Sequence, residues 1–246
     1  MGSCNDFDPV HHTEAPCPHS IDLWMRMELH ELIRDVRDAY DNYEFHHATR
    51  RIYEFCTVQA SSVYMAAVKD RLYCETPDAI RRRATQSVMH EMLMTLVKLL
   101  APILPHTCEE VWDHIPFRDT EEPHSVHLAL LPEVDEGVLE LAEDLRPVSD
   151  ENFSAMGDHL EGGPEWVWRQ LLDLRGEGLV KLEALRNAGV KNPLDTEAVF
   201  TVAEGDEYSR TLIETYHKEL EDMLAVGYAR IEIGTVPDGV PIVVDI

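Results

Sequence analysis

The chain of 246 residues is 44% hydrophobic and carries a formal net charge of −26 at pH 7. It contains no apolar run of the roughly 18 residues that a membrane span requires. Its five cysteines form no C-x-x-C pair, which argues against a zinc ribbon or a disulfide framework and favours reduced thiols. We therefore expect a cytoplasmic globular protein without membrane contact.

The negative charge is unevenly distributed along the sequence. From Arg50 to Arg83 there are seven Lys or Arg and four Asp or Glu, a local charge of +3, whereas 106–165 holds two arginines and seventeen acidic residues. A net-acidic protein ordinarily repels polyanions, so contact with nucleic acid is expected at the first of these segments. The acid excess, with sixteen arginines against five lysines, fits either solubility or adaptation to a salty habitat, and both interpretations stay open.

The first half of the chain has the pattern of a helical bundle. Residues 1–19 are rich in Pro, His and Asp, which predicts an extended lead-in. Ser20 is a good N-cap for a helix that runs to about Asn42. From Tyr43 to Tyr73 the apolar positions repeat at helical spacing in two stripes. We therefore expect two helices there, separated at 57–61, where hydroxyl side chains can cap a second start.

A longer helix is expected to begin at Asp78 and to be central in the bundle, because its second half is apolar on nearly all sides. Pro102 and Pro105 are expected to end or kink it, and Thr107 to cap a short helix over 108–114. Two tryptophans, Trp24 and Trp112, fall in apolar segments and are predicted to be core residues.

Beyond these helices the sequence becomes acidic and weakly patterned, with a short strand or extended tie predicted at 125–131 and a helix near 138–145. Pro164 is a favourable first-turn residue for another helix, in which Gly176 and Gly178 predict a bend or break. A strand, a helix and two further strands are predicted at 197–203, 207–223, 227–234 and 240–246. The fold class expected is mainly α, with a lead-in (1–19), a helical bundle (20–116), an acidic connector (117–163) and a small α+β unit (164–246).

Paired histidines and acids predict no catalytic or metal site. His11-His12 and His46-His47 are adjacent pairs, and neighbours in a helical sequence point in different directions. His124 and His127 would face together only in a helix, and their setting favours an extended segment. Glu109-Glu110 is expected to be a pair of solvated charges near a helix start. We therefore expect neither catalytic residues nor metal ligands in this chain.

The best candidate for nucleic-acid binding is the basic segment. Three consecutive arginines point around most of a helix circumference, so not all of Arg81, Arg82 and Arg83 are expected to face one partner. A solvated helix start is the alternative for each of them. The full set of candidate RNA-binding residues is Arg50, Arg51, Lys69, Arg71, Arg81, Arg82 and Arg83.

Several phrases, taken in order, cover nearly the whole chain and resemble the anticodon-binding region of bacterial-type isoleucyl-tRNA synthetases. They are Asn5-Asp6-Phe7-Asp8-Pro9, Tyr43-Glu44-Phe45-His46, Tyr53-x-Phe55, Lys69-Asp70-Arg71-Leu72-Tyr73, Leu99-Leu100-Ala101-Pro102-Ile103-Leu104-Pro105, Glu109-Glu110-Val111-Trp112, Ser125-Val126-His127-Leu128, Leu174-Arg175 and Leu182-Glu183-x-x-Arg186. Valyl and leucyl relatives share this architecture.

The resemblance implies that the bundle receives the anticodon stem-loop of tRNA(Ile), while a separate region uses ATP to charge the tRNA with isoleucine. Family members often carry zinc farther along the chain. No H-I-G-H-type or K-M-S-K-S-type phrase occurs here, so we expect no ATP, zinc or other cofactor in this chain and no catalytic activity from it alone. It then corresponds to an excised, monomeric piece with Met1 as an artificial or secondary start. The alternatives are the same piece of a valyl or leucyl enzyme, or a non-catalytic helical scaffold that binds protein.

Overall fold

The computed structural model describes residues 6–115, 123–144, 164–237 and 240–246. The chain forms two compact units, Met1–Leu139 and Glu140–Ile246. The first is helical, and the second combines helices with a three-stranded sheet. The expected fold class, a mainly α protein with a helical bundle and a small α+β unit, is therefore confirmed. In the part of the chain that the structure describes, no helix is long and apolar enough to cross a membrane.

The first unit is built around its first long helix. Ser20 caps this helix as predicted, because its hydroxyl accepts a hydrogen bond from the backbone N–H of Leu23 at 3.3 Å. This helix, Ile21–Asp41, packs against the helix that begins at Phe45 and against the helix Ile80–Leu100. Its side chains Trp24 and Leu29 are buried. The helical segments are α1 (Ile21–Asp41), α2 (Phe45–Glu54), a π-helical segment (Phe55–Met65), α3 (Ala66–Cys74), α4 (Ile80–Leu100) and α5 (Pro105–His114).

The stretch from α2 to α3 is one uninterrupted helix, so the predicted separation at 57–61 is wrong. The Thr57 hydroxyl donates to the Tyr53 carbonyl at 2.8 Å, and the Ser62 hydroxyl donates to the Thr57 carbonyl at 2.8 Å. The Thr57 hydroxyl, which lies in the predicted separation, and the Ser62 hydroxyl just after it therefore bond within the helix and start no new one. The wider π turn keeps one face buried: Phe55 is followed by Ala60, five residues later, and then by Val63 and Tyr64.

The short helix α5 begins at Pro105, two residues before the predicted cap at Thr107. Proline suits this position because the first helical N–H has no partner within the helix. Trp112 is fully buried, as predicted for a core residue, and its indole N–H donates to the Pro123 carbonyl at 3.0 Å. Of the two predicted forms at 125–131, the strand does not form: Val126–Leu128 is a 3₁₀ turn, and Ala129 after it has extended backbone angles.

The carboxylate of Glu109 accepts from the Ser125 hydroxyl at 2.9 Å and from the Val126 N–H at 3.1 Å. It therefore ties this turn to α5 and is not simply a solvated charge. The helix predicted near 138–145 is α6 (Glu136–Asp144). Of the predicted acidic connector (117–163), residues 117–122 and 145–163 lie outside the described residues.

The second unit has the predicted α–β–α–β–β order: α7 (Pro164–Asn187), β1 (Glu197–Ala203), α8 (Glu207–Leu224), β2 (Tyr228–Gly234) and β3 (Ile242–Asp245). The predicted break at Gly176 and Gly178 does not occur, because α7 runs through both glycines. A Cβ at Gly178 would lie 2.6 Å from Leu224 Cδ2. This glycine therefore serves close packing of α7 against α8.

The sheet has the order β2–β1–β3, with β2 parallel and β3 antiparallel to the central strand. Alternate residues of β1, Ala198, Phe200 and Val202, are buried, as expected for a sheet with one covered face. Both α7 and α8 contact the sheet. Trp168 of α7 and Tyr216 of α8 meet edge to face with ring centroids 5.5 Å apart, which anchors the core of this unit.

Candidate nucleic-acid interface

The seven basic candidates fall into two groups that differ in exposure. Arg71, Arg82 and Arg83 are buried, whereas Arg50 and Lys69 are exposed and Arg51 and Arg81 are partly exposed. A phosphate can be contacted only by a side chain that reaches solvent. The structure therefore removes the three buried arginines from the candidate set. The hydrogen-bond partners of each group show why they are buried.

Arg71 belongs to a buried polar network centred on Asp22. Its guanidinium donates to Asp22 Oδ2 at 2.9 Å, and both side chains are 2% exposed. The other carboxylate oxygen, Oδ1, accepts from the hydroxyls of Tyr64 at 2.7 Å and Thr85 at 2.9 Å. Burial, together with the nearby Asp22 carboxylate, raises the pKa of Tyr64 well above its usual range. The network links α1, the π-helical segment, α3 and α4, and it holds Arg71 in the interior of the bundle.

Arg82 and Arg83 hold the lead-in segment against α4. Arg82 donates to both carboxylate oxygens of Asp6, at 2.8 and 2.9 Å. Arg83 donates to the Asp6 carbonyl at 3.0 Å and to the side chain of Gln86 at 2.9 Å. The hydrogen bond from Arg82 holds the pKa of the Asp6 carboxyl well below its usual range, against an opposing effect of burial. Two members of the predicted RNA-binding triplet are therefore structural residues.

This clamp makes a testable contribution to stability. Because the folded-state pKa of Asp6 is depressed, its contribution is present above the unfolded pKa of about 3.9 and is lost as the pH falls through that value toward the folded pKa. We expect Asp6→Asn to lower the free energy of unfolding by about 1 kcal/mol at neutral pH, a modest value because the carboxylate is 37% exposed and screened by solvent.

The measurement is the difference in melting temperature between wild type and Asp6→Asn at about pH 6 and about pH 3. This difference should shrink at the lower pH. Glu54→Gln, which removes a surface ion pair with Arg50, is the control and should change stability little at either pH. A constant difference for Asp6→Asn would show that the carboxylate charge is not what stabilises the clamp.

The remaining four cations lie at the surface of the first unit. Three of them pair with nearby acids: Arg50 with Glu54 at 2.8 Å, Arg51 with Asp35 at 2.7 Å, and Arg81 with Glu75 at 3.3 Å. Lys69 is exposed and forms no ion pair among the described residues. Since surface ion pairs contribute little stability, these cations can exchange an acid for a phosphate at small cost. Their contact with RNA stays a prediction.

The sequence predictions missed the acidic partners that decide which cations are buried and which reach the surface. Asp6 and Asp22 were not identified as site residues, although one signal was present: Asp22 stands between Ile21 and Leu23 on a helix that is otherwise apolar there. The long helix is the continuous helix formed by α2, the π-helical segment and α3 (45–74). Its exposed aromatic residues, Tyr53 and Tyr73 among them, were also missed as a surface feature. Among the described residues no group of three or more His, Cys, Asp or Glu is arranged to hold a metal ion.

These features define a helical bundle with one long helix that presents cations to solvent. Residues 22–159 match the family described as "Anticodon-binding domain of tRNA ligase". Because the match covers more than half of the chain, the chain belongs to this family.

The similar proteins indicate which kind of tRNA ligase the chain resembles. The chain is 36% identical over 207 residues to the isoleucine–tRNA ligase of Halalkalibacterium halodurans, which covers 84% of this chain and 20% of that protein. It is 39% identical over 228 residues to the isoleucine–tRNA ligase of Geobacillus kaustophilus, covering 92% and 22%. For that of Petrotoga mobilis the identity is 32% over 241 residues, covering 97% and 23%. The chain thus spans about a fifth of the length of the curated relatives it matches.

Proposed function

We propose that the first unit binds the anticodon stem-loop of a tRNA and that the chain acts as the anticodon-binding part of an isoleucine–tRNA ligase. The complete ligase would charge tRNA(Ile) with isoleucine using ATP, in the cytoplasm, with any zinc held outside this chain. The observation that carries the proposal is the family match over 22–159, supported by the similarity to isoleucine–tRNA ligases along most of the chain. We expect the isolated chain to be a monomer.

The exposed cations support a phosphate-contacting role for the long helix. Arg50 in α2 and Lys69 in α3 both project from the side of this helix that is not packed on the bundle. Each cation that neutralises a phosphate releases counterions, so binding weakens as salt increases. The net charge of −26 opposes RNA elsewhere on the protein. Binding should therefore be weak and confined to this surface.

The test is fluorescence anisotropy with labelled tRNA(Ile), tRNA(Val) and tRNA(Leu) across a range of salt concentrations. We expect tRNA(Ile) to bind most tightly. With four of the seven candidate cations at the surface, the slope of log K against log salt should be about −2 to −3. Absence of binding, or equal binding of all three tRNAs, would contradict the proposal that the chain contributes to recognition of tRNA(Ile).

Substitution of the two exposed cations gives a sharper prediction. Arg50→Gln together with Lys69→Gln should reduce the magnitude of the salt slope by between about 1 and 2 and should weaken binding of all three tRNAs alike, because phosphate contacts carry no sequence information. Arg210→Gln is a matched control, since Arg210 is an exposed helical arginine paired with Glu214 at 2.8 Å, as Arg50 is paired with Glu54. An equal effect of Arg210→Gln would show that only the overall charge matters.

A further inference from the structure

Two tyrosines stand out on the solvent-facing side of the long helix. Tyr53 in α2 is 68% exposed and Tyr73 in α3 is 63% exposed. In the part of the chain that the structure describes, neither side chain has a hydrogen-bond partner or a ring contact. Phe45, which is also exposed, differs from them because its ring lies 5.7 Å from that of Tyr40 and 6.4 Å from that of Tyr43. Tyr53 and Tyr73 therefore present most of their aromatic surface to solvent.

Each of these tyrosines follows an exposed cation by one helical turn. Arg50 stands three residues before Tyr53, and Lys69 stands four residues before Tyr73. Side chains three or four residues apart on a helix are neighbours. The same pair, a cation followed by an aromatic ring, thus occurs twice among the exposed residues of this helix. This is notable in a chain whose acidic residues outnumber its basic ones by more than two to one.

A cation beside an exposed ring suits single-stranded RNA better than a duplex. Unpaired bases stack on aromatic side chains whatever their identity, while a neighbouring cation holds the adjoining phosphate. In a duplex the bases are already stacked on each other, and only the phosphates are available to such a surface.

We propose that Tyr53 and Tyr73 are stacking platforms for unpaired bases of the bound RNA, with Arg50 and Lys69 holding the phosphates beside them. The inference rests on the proposed function and adds that this surface meets unpaired nucleotides, not only the stem. Each tyrosine is assigned its own base. The two tyrosines are 20 positions apart, and an α-helix of that length spans about 30 Å.

The experiment compares two labelled RNAs, the anticodon stem-loop of tRNA(Ile) and a blunt duplex of the same stem sequence. Tyr53→Ala and Tyr73→Ala should each weaken stem-loop binding by roughly five- to 100-fold, the effect of losing one stacked base. Neither should change the salt slope of stem-loop binding or the affinity for the duplex, because tyrosine is uncharged at neutral pH. Tyr53→Phe and Tyr73→Phe keep the ring and should bind as wild type does.

Tyr228→Ala is the control, since Tyr228 is 59% exposed but lies on β2 in the second unit. Circular dichroism verifies that each variant is folded. If wild type binds the stem-loop and an alanine variant binds it equally well, the assignment of that tyrosine is overturned while the proposed function stands. Equal losses for stem-loop and duplex also overturn it, as does a change in self-association, measured by sedimentation, without a change in RNA affinity. If wild type binds neither RNA, the proposed function fails and this inference fails with it.

Discussion

Asp22→Ala should lower the free energy of unfolding of the first unit by about 3–5 kcal/mol, the cost of removing one partner from a buried ion pair. The carboxylate of Asp22 accepts hydrogen bonds from Tyr64, Arg71 and Thr85 at 2.7–2.9 Å. Its loss leaves the guanidinium of Arg71 buried without this carboxylate and takes an acceptor from two hydroxyls. Urea denaturation followed by circular dichroism measures the change, with hydrogen exchange used to place it in α1, α3 and α4.

Two further variants separate charge from packing. In Asp22→Asn with Arg71→Met both charges are removed, while the amide oxygen still accepts from Tyr64 and Thr85, so the double variant should be clearly more stable than Asp22→Ala. Asp35→Ala removes the partner of Arg51 at the surface, where Asp35 is 50% exposed, and should cost less than about 1 kcal/mol. If Asp22→Ala and Asp35→Ala were equally mild, the buried network would not be what holds these helices together.

Gly227→Ala should destabilise the second unit by about 2–3 kcal/mol, an overpacking cost. Gly227 lies between α8 and β2, and its N–H donates to the Thr196 carbonyl at 3.1 Å. A Cβ at this position would lie well inside van der Waals contact of the backbone carbonyl oxygen of Leu194. Because the obstacle is main chain, relief requires the turn before β1 to move, which disturbs the pairing of β1 with β2.

Gly176→Ala in α7 is the matched control for this prediction. A Cβ there meets nothing within 4 Å, so the substitution should stabilise the helix by about 0.5–1 kcal/mol through its better helix propensity. The two variants make the same chemical change and should move the urea midpoint in opposite directions. A Gly227→Ala protein as stable as wild type would mean that the turn at Leu194 is free to shift.

The sequence by itself determined most of the secondary structure and the family of this protein. Helix α1 was predictable because apolar residues repeat at helical spacing after the capping serine, Ser20. Strand β1 was predictable because apolar and polar residues alternate along it. Both patterns depend only on residues that are close in the sequence. The π-helical segment was not predictable in this way. Its hydroxyls at Thr57 and Ser62 suit a helix start and a helix interior equally well, and packing of Ala60 and Tyr64 against the bundle decided between them.

Only the tertiary structure decided which arginines are available to a ligand. Arg50, Arg71 and Arg82 are equivalent in a count of local charge, yet one is exposed and two are buried. The difference arises from acids that are far away in the sequence, since Arg71 meets Asp22 across 49 positions and Arg82 meets Asp6 across 76. A buried guanidinium requires a carboxylate to replace its lost hydration, and only the folded chain brings those carboxylates to it.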